Sequence, residues 1–179
     1  FLGLPTPYSL PFDLLATTEK LNIVETQWDV PSITTTTIAD NSSLNLLTLI
    51  NNATHKNSTN TDEYDQLDIV SNSIVTTYRN CKTIHTIRLS FNLSTGSEQF
   101  YQLQIRRTVD NSIVYRLQIH RNPDESAQTA EMTTRTLSAL DPFTIDGFYI
   151  TLVNNSGTSC EISGTMSLLI ISKYQKVQN

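Results

Sequence analysis

Three histidines, two cysteines and two carboxylate clusters are the side chains of this 179-residue sequence whose types could do chemistry. His55, His85 and His120 have no partner at metal-ligand spacing such as His-x-x-x-His. His55 lies in a polar stretch, whereas His85 and His120 fall on predicted strands and are expected to face water or satisfy a local hydrogen bond. Asp62, Glu63 and Asp65 form one acidic group and Asp124 with Glu125 another, both in predicted loops. Acid–base catalysis needs one carboxyl desolvated so that the pair's pKa values separate, and a solvated loop does the opposite. Asp62, Glu63, Asp65 and Asp68 offer oxygen ligands to calcium but lack the glycine of an EF-hand loop. No nucleophile elbow, phosphate loop, dinucleotide fingerprint or zinc-protease pattern is present. No catalytic residue, metal ligand or cofactor is expected. The chain is expected not to be an enzyme.

Cys81 and Cys160 each open a predicted strand. In an oxidising compartment they could close a loop worth about 4 kcal/mol. Neighbouring antiparallel strands, however, put their starts at opposite ends, so two free buried thiols are favoured over that disulfide. Asn-x-Ser/Thr occurs at Asn41, Asn52, Asn57, Asn92 and Asn154. Asn41, Asn52, Asn57 and Asn154 are the glycosylation candidates because they fall in predicted loops, while Asn92 sits on the wet face of a strand. Among the 7 tyrosines, Tyr101, Tyr115 and Tyr149 are candidates for an interface or for the core, with the core favoured.

The elements that must position these residues announce themselves by a period of two. Ile87, Leu89, Phe91 and Leu93 alternate with polar neighbours, as do Tyr101, Leu103 and Ile105, and then Ile113, Tyr115, Leu117 and Ile119. These predict half-buried antiparallel strands with one wet face. Phe148–Val153 and Ile162–Tyr174 are apolar on both faces and should lie centrally in a sheet. Earlier, Leu21–Val30 and Ile33–Ile38 read as two strands, and Leu44–Ile50 as strand or helical turn. Asn51–Glu63 reads as a polar loop, Leu67–Val70 and Ile74–Tyr78 as short strands, and Thr129–Leu140 as one strand at most. Asp13–Leu21 is the one credible helix. Nine or ten strands are expected, with no repeat and no second globular domain. Turn spacing of about 12 residues is that of a sandwich or barrel.

Composition narrows the function classes. Charged residues make up 16% of the chain and the net charge is -5, while 26 Thr, 18 Ser and 15 Asn supply a third of it. No apolar run approaches the ~18 residues of a membrane span, and 12 Lys+Arg without a basic block argue against nucleic acid. The hydroxyls and amides occupy the outward half of strands and the loops, wetting a β surface without charge. Phe1 in place of Met leads to the expectation of a processed or trimmed start. Residues 1–12 carry three of the 6 prolines, which predicts an extended arm over 1–20 ahead of a domain spanning 21–179. The arm's Phe1, Leu2, Leu4, Tyr8 and Phe12 are interface candidates, against the chain's own surface or a neighbouring subunit.

The late block Ser138-Ala139-Leu140-Asp141-Pro142-Phe143-Thr144-Ile145, the strand Phe148–Asn155, and the strand Ile162-Ser163-Gly164-Thr165-Met166 running on to Ile171 resemble the end of a tumour-necrosis-factor/C1q-like jelly roll. Glycine, at 5 in the chain, is scarcer than in that family's turns. The resemblance implies an all-β antiparallel jelly-roll sandwich, trimer formation, and loops presented to a receptor or glycan. It extends to viral spike and minor capsid proteins, towards which the Asn/Thr-rich composition and apolar arm lean. The expectation is therefore a virion component whose partners are its own copies, other capsid subunits and a host receptor or glycan, without nucleic acid or membrane insertion. The alternative is a secreted, extracellular C1q-like or lectin-like binding module. Loops Thr95–Gln99, Asn122–Gln128 and Asn154–Ser159 are the expected contact loops.

Overall fold

Alternating side chains can bury one face only if a second sheet covers it. The computed structural model, which describes residues 21–50, 55–58, 67–76, 81–94, 99–121, 127–136 and 147–176, supplies that second sheet. The strands are β1 (Leu21–Ile38), β2 (Ser42–Asn45), β3 (His55–Ser58), β4 (Leu67–Val70), β5 (Ser73–Thr76) and β6 (Cys81–Ser94). They continue with β7 (Gln99–Arg107), β8 (Ile113–Arg121), β9 (Ala127–Thr136), β10 (Phe148–Asn154) and β11 (Cys160–Lys176). One helical turn, α1 (Leu47–Ile50), follows β2. The arm with Phe1, Leu2, Leu4, Tyr8 and Phe12, residues 13–20 of the helix expected over Asp13–Leu21, Asn52 and the acidic residues Asp62, Glu63, Asp65, Asp124 and Glu125 lie outside the described residues, and Leu21 opens β1 instead.

One sheet has the order β3-β1-β11-β6-β9 and the other β4-β5-β10-β7-β8, with β2 also on β10. Every pairing is antiparallel. The partners nest: β1 with β11, β5 with β10, β6 with β9, β7 with β8. Nesting of this kind is one long antiparallel hairpin, its tip at the β7–β8 turn, rolled so that successive pairs fall in alternate sheets. The architecture is an all-β jelly roll.

Three readings change in contact with the fold. The two strands expected at 21–30 and 33–38 are one, because register shifts between Val30 and Ile33 and between Ile33 and Thr36 let β1 carry Pro31 without losing β11. Asn51–Glu63 is not all loop: its β3 pairs Thr26–Asp29 through backbone bonds that need no apolar side chain. Leu44–Ile50 is both strand and helical turn. Asn45 makes the switch, accepting a hydrogen bond from Leu47 N on Oδ1 at 3.0 Å and donating to Asn72 O at 3.0 Å.

The core lies between the sheets. Trp28, Val30, Ile87, Leu89, Phe91, Leu168 and Ile170 come from one sheet, and Leu103, Ile105, Phe148, Ile150 and Leu152 from the other. Leu46, Leu47 and Ile50 add the α1 turn to the same cluster. β10 and β11 are central, as their two-faced apolarity predicted.

Candidate functional site

Eight strand ends lie at one end of the sandwich. Asn154 pairs with Tyr101 on one side and Ser42 on the other, and Tyr101 pairs with Ile119. β1 ends, at Ile38, opposite Cys160, where β11 begins, and β6 ends at Ser94 opposite Glu161. The strand ends that flank 39–41, 95–98, 122–126 and 155–159 therefore share this end, with Gln99 of one expected contact loop in β7 and Ala127 and Gln128 of another in β9. Asn154 ties two of the connections together. Its Nδ2 donates to Ile38 O at 2.9 Å and Thr158 O at 2.8 Å, and its Oδ1 accepts from Ser156 N at 3.1 Å. Gly157 N donates to Asp40 Oδ1 at 2.7 Å. The cross-tie fixes the turn at Asp40 and Asn41, whose φ of 57° asparagine tolerates, against the loop after β10.

From this end the outward face of the larger sheet runs down β7, β8 and β10. Phe100 opposes His120, their ring centroids 4.7 Å apart at 47°, and Phe100 is 54% exposed. Next come Val153, Gln102 and Gln118 in one row, then Thr151, Gln104 and Arg116. A hydrogen-bonded chain stiffens the face: Gln104 Nε2 donates to Gln102 Oε1, Arg106 Nε donates to Gln104 Oε1 at 2.9 Å, and Arg106 Nη1 donates to Asn111 O at 3.2 Å. Tyr149 donates its hydroxyl hydrogen to Asn111 Oδ1 at the far end. Thr151 Oγ1 in the middle row is buried and has no hydrogen-bond partner. Arg116, Gln118 and His120 are exposed.

The outward face of the five-stranded sheet differs in chemistry. Leu169 lies between Gln27 and Arg88, Ile171 between Glu25 and Thr86, and Lys173 between Ile23 and Ile84. Ile84, Leu169 and Ile171 are half-buried and Ile23 is 56% exposed. Above them Gln27 Nε2 donates to Asp29 Oδ1 at 2.9 Å and to Ser167 Oγ at 3.3 Å. A depression of about 200 Å³ opens there, lined by Gln27, Arg88, Leu89, Ser90, Ser167 and Leu169.

The remaining residues singled out by type are dispersed. His85 faces inward rather than to water: it is buried, its Nδ1 lies 2.8 Å from Ser172 Oγ, and its ring lies 5.7 Å from that of Phe148. Burial pushes it down to about 4. Cys160 is a free buried thiol, pushed up to about 11 by desolvation. The register removes the Cys81–Cys160 disulfide, since Cys160 pairs at one end of β11 and Cys81 opposite Lys176 at the other. Roughly 50 Å of extended strand lies between them. Asn154 is no glycan acceptor, because it is fully buried and its amide hydrogens are already donated. Asn57 lies on edge strand β3 rather than in a loop, and Asn41 is exposed. Tyr101 is core at 1% exposure, whereas Tyr115 and Tyr149 are partly buried and pack against the core. Among the described residues no three His, Cys, Asp or Glu come together as metal ligands, and no helix is long and apolar enough to cross a membrane. The Phe100–His120 pair escaped the sequence reading; its signal was an aromatic on the polar side of each of two alternating strands.

The class defined by these sheets is a two-sheet antiparallel jelly roll. No protein-family model matches the chain and no curated protein is similar to it in sequence. Among solved structures it is similar in fold to PRD1 vertex protein P5, with a TM-score of 0.55 at 14% identity over 87% of this chain and 73% of that one. A structure of infectious bursal disease virus, Gx strain, aligns at a TM-score of 0.28 and 13% identity over 90% of this chain and 38% of that one.

Proposed function

We propose that the chain is a non-enzymatic structural or attachment component of a virus particle. It associates with copies of itself or with other capsid subunits through its jelly roll, the resemblance to tumour-necrosis-factor-like modules making a trimer the expected assembly. The observation that carries the reading is the outward face of the β3-β1-β11-β6-β9 sheet. Ile23, Ile84, Leu169 and Ile171 put aliphatic surface there, where a solitary antiparallel sheet would be polar. The likeness in fold to a protein named as a vertex protein supports the virion setting. Host attachment is the second half of the proposal, supported by the exposed Phe100–His120 pair at the end of the sandwich where eight strand ends lie. Light scattering coupled to size-exclusion chromatography tests the assembly: an oligomer at micromolar concentration is expected, and a monomer overturns it.

A further inference from the structure

The outward face of β7 and β8 differs in charge from the molecule that carries it. The chain as a whole is at -5. The outward positions of β7 are Phe100, Gln102, Gln104 and Arg106, those of β8 are Val114, Arg116, Gln118 and His120, and those of β10 are Tyr149, Thr151 and Val153. None of them is acidic, and two are arginines. Arg116 is exposed, and no ion pair engages it among the described residues. Two strand rows away, about 13 Å, the Phe100 ring stands exposed against His120. Gln118 and Gln102 oppose each other in the row between.

We propose that this face binds an anionic saccharide, an inference that rests on the attachment half of the function proposed above and names its ligand. Each part of the face answers a part of such a ligand. The apolar face of a sugar ring lies on the exposed Phe100 ring, whose negative π surface attracts polarised C–H groups. The amides of Gln118 and Gln102 offer both a donor and an acceptor to hydroxyls, which charged side chains cannot do. Arg116 takes the carboxylate or sulfate, where its fork can make paired charge-assisted bonds. The hydrogen-bonded run from Gln102 through Gln104 and Arg106 to Asn111 holds the neighbouring side chains still, so less freedom is lost when the ligand arrives. Charge complementarity selects the occupant: an acidic chain with a basic, amide-rich face discriminates anionic from neutral sugars.

Calorimetric titration of the whole chain tests this with 3′-sialyllactose as the carboxylate probe, a heparin-derived hexasaccharide as the sulfate probe, lactose as the neutral control and a hexaglutamate peptide as the non-sugar anion. Saturable binding of one anionic saccharide is expected, with lactose and hexaglutamate at least about tenfold weaker. Arg116→Glu and Phe100→Ser should each weaken that binding about tenfold or more. Arg88→Glu, the same charge change on the outward face of the other sheet, should leave it within about twofold. The proposal is overturned if neither anionic saccharide binds, if hexaglutamate binds as well as the sugar, or if Arg88→Glu weakens binding as much as Arg116→Glu. Assembly is read separately by light scattering, so a monomer that binds sugar and an oligomer that does not are told apart.

Discussion

Asn154 uses its whole hydrogen-bonding capacity inside the protein, both amide hydrogens on carbonyls and its oxygen on Ser156. Removing it takes the side-chain donor from the buried Ile38 O and leaves Ser156 N without its acceptor, while Thr158 O keeps Ser156 Oγ at 3.0 Å. Asn154→Ala should therefore cost about 2–3 kcal/mol in urea denaturation, and Asn154→Asp more, because a carboxylate would face Ile38 O and Thr158 O. A sequon motif alone could not reveal this, since the same Asn-Asn-Ser reads identically on a free loop. His85 titrates in the opposite sense to a surface histidine. Its folded value of about 4 lies below the ordinary 6.5, so between those limits the unfolded chain binds a proton that the folded chain refuses. Stability is thus fully present above pH 6.5 and falls as the pH drops towards 4, by roughly 3 kcal/mol from this one group. Denaturation midpoints measured at about pH 7 and about pH 4.5 should converge in His85→Gln relative to the parent chain. A slope unchanged by the substitution would remove His85 as its source.

Among the elements, those that alternate cleanly were legible and those held by backbone alone were not. β6, β7 and β8 expose one side chain and bury the next, and β10 and β11 are apolar on both sides because strands flank them. β3, with His55, Lys56, Asn57 and Ser58, has no apolar period, and only its partner β1 makes it a strand. The phase of β8 was visible, but not that its polar side, with His120, would meet Phe100 across β7; register is a property of two strands. Gly147 marks where β10 begins under constraint. Its φ is +81°, and a Cβ there would stand 2.3 Å from Ile74 O, a backbone atom that cannot turn aside. Gly147→Ala is expected to destabilise by at least about 2 kcal/mol, read by thermal unfolding against Gly157→Ala. Gly157 shares the positive φ but has open space around it, so the difference isolates the collision.

At the scale of the whole molecule, the proposed function divides the two outward faces between uses. The aliphatic face around Leu169 and Ile171 belongs to the assembly proposed above, and the amide and arginine face of β7 and β8 to attachment. Leu169→Asp with Ile171→Asp should convert the expected oligomer to a monomer in light scattering while far-ultraviolet circular dichroism stays unchanged, because both residues point away from the core. An oligomer that survives the double substitution moves the interface elsewhere. The low charge that stood out in the composition has a place here: Thr86, Ser90, Asn92 and Ser167 wet the five-stranded sheet with hydroxyls and an amide between the charged Glu25, Arg88 and Lys173.

The nested pairing also sets an order of events during synthesis. β11 fills the gap between β1 and β6, so until it leaves the ribosome those strands are two open edges with no shared neighbour. An emerging chain can close β7 on β8, but the five-stranded sheet waits for nearly the whole sequence. Such a sheet closes only once β11 has emerged, and it folds in the slow range of topologies dominated by distant contacts. While it waits, the edges of β1 and β6 are templates for another chain. A nascent neighbour of the same sequence would carry the matching β11, so crowding on one message makes strand exchange between copies the characteristic hazard of this fold.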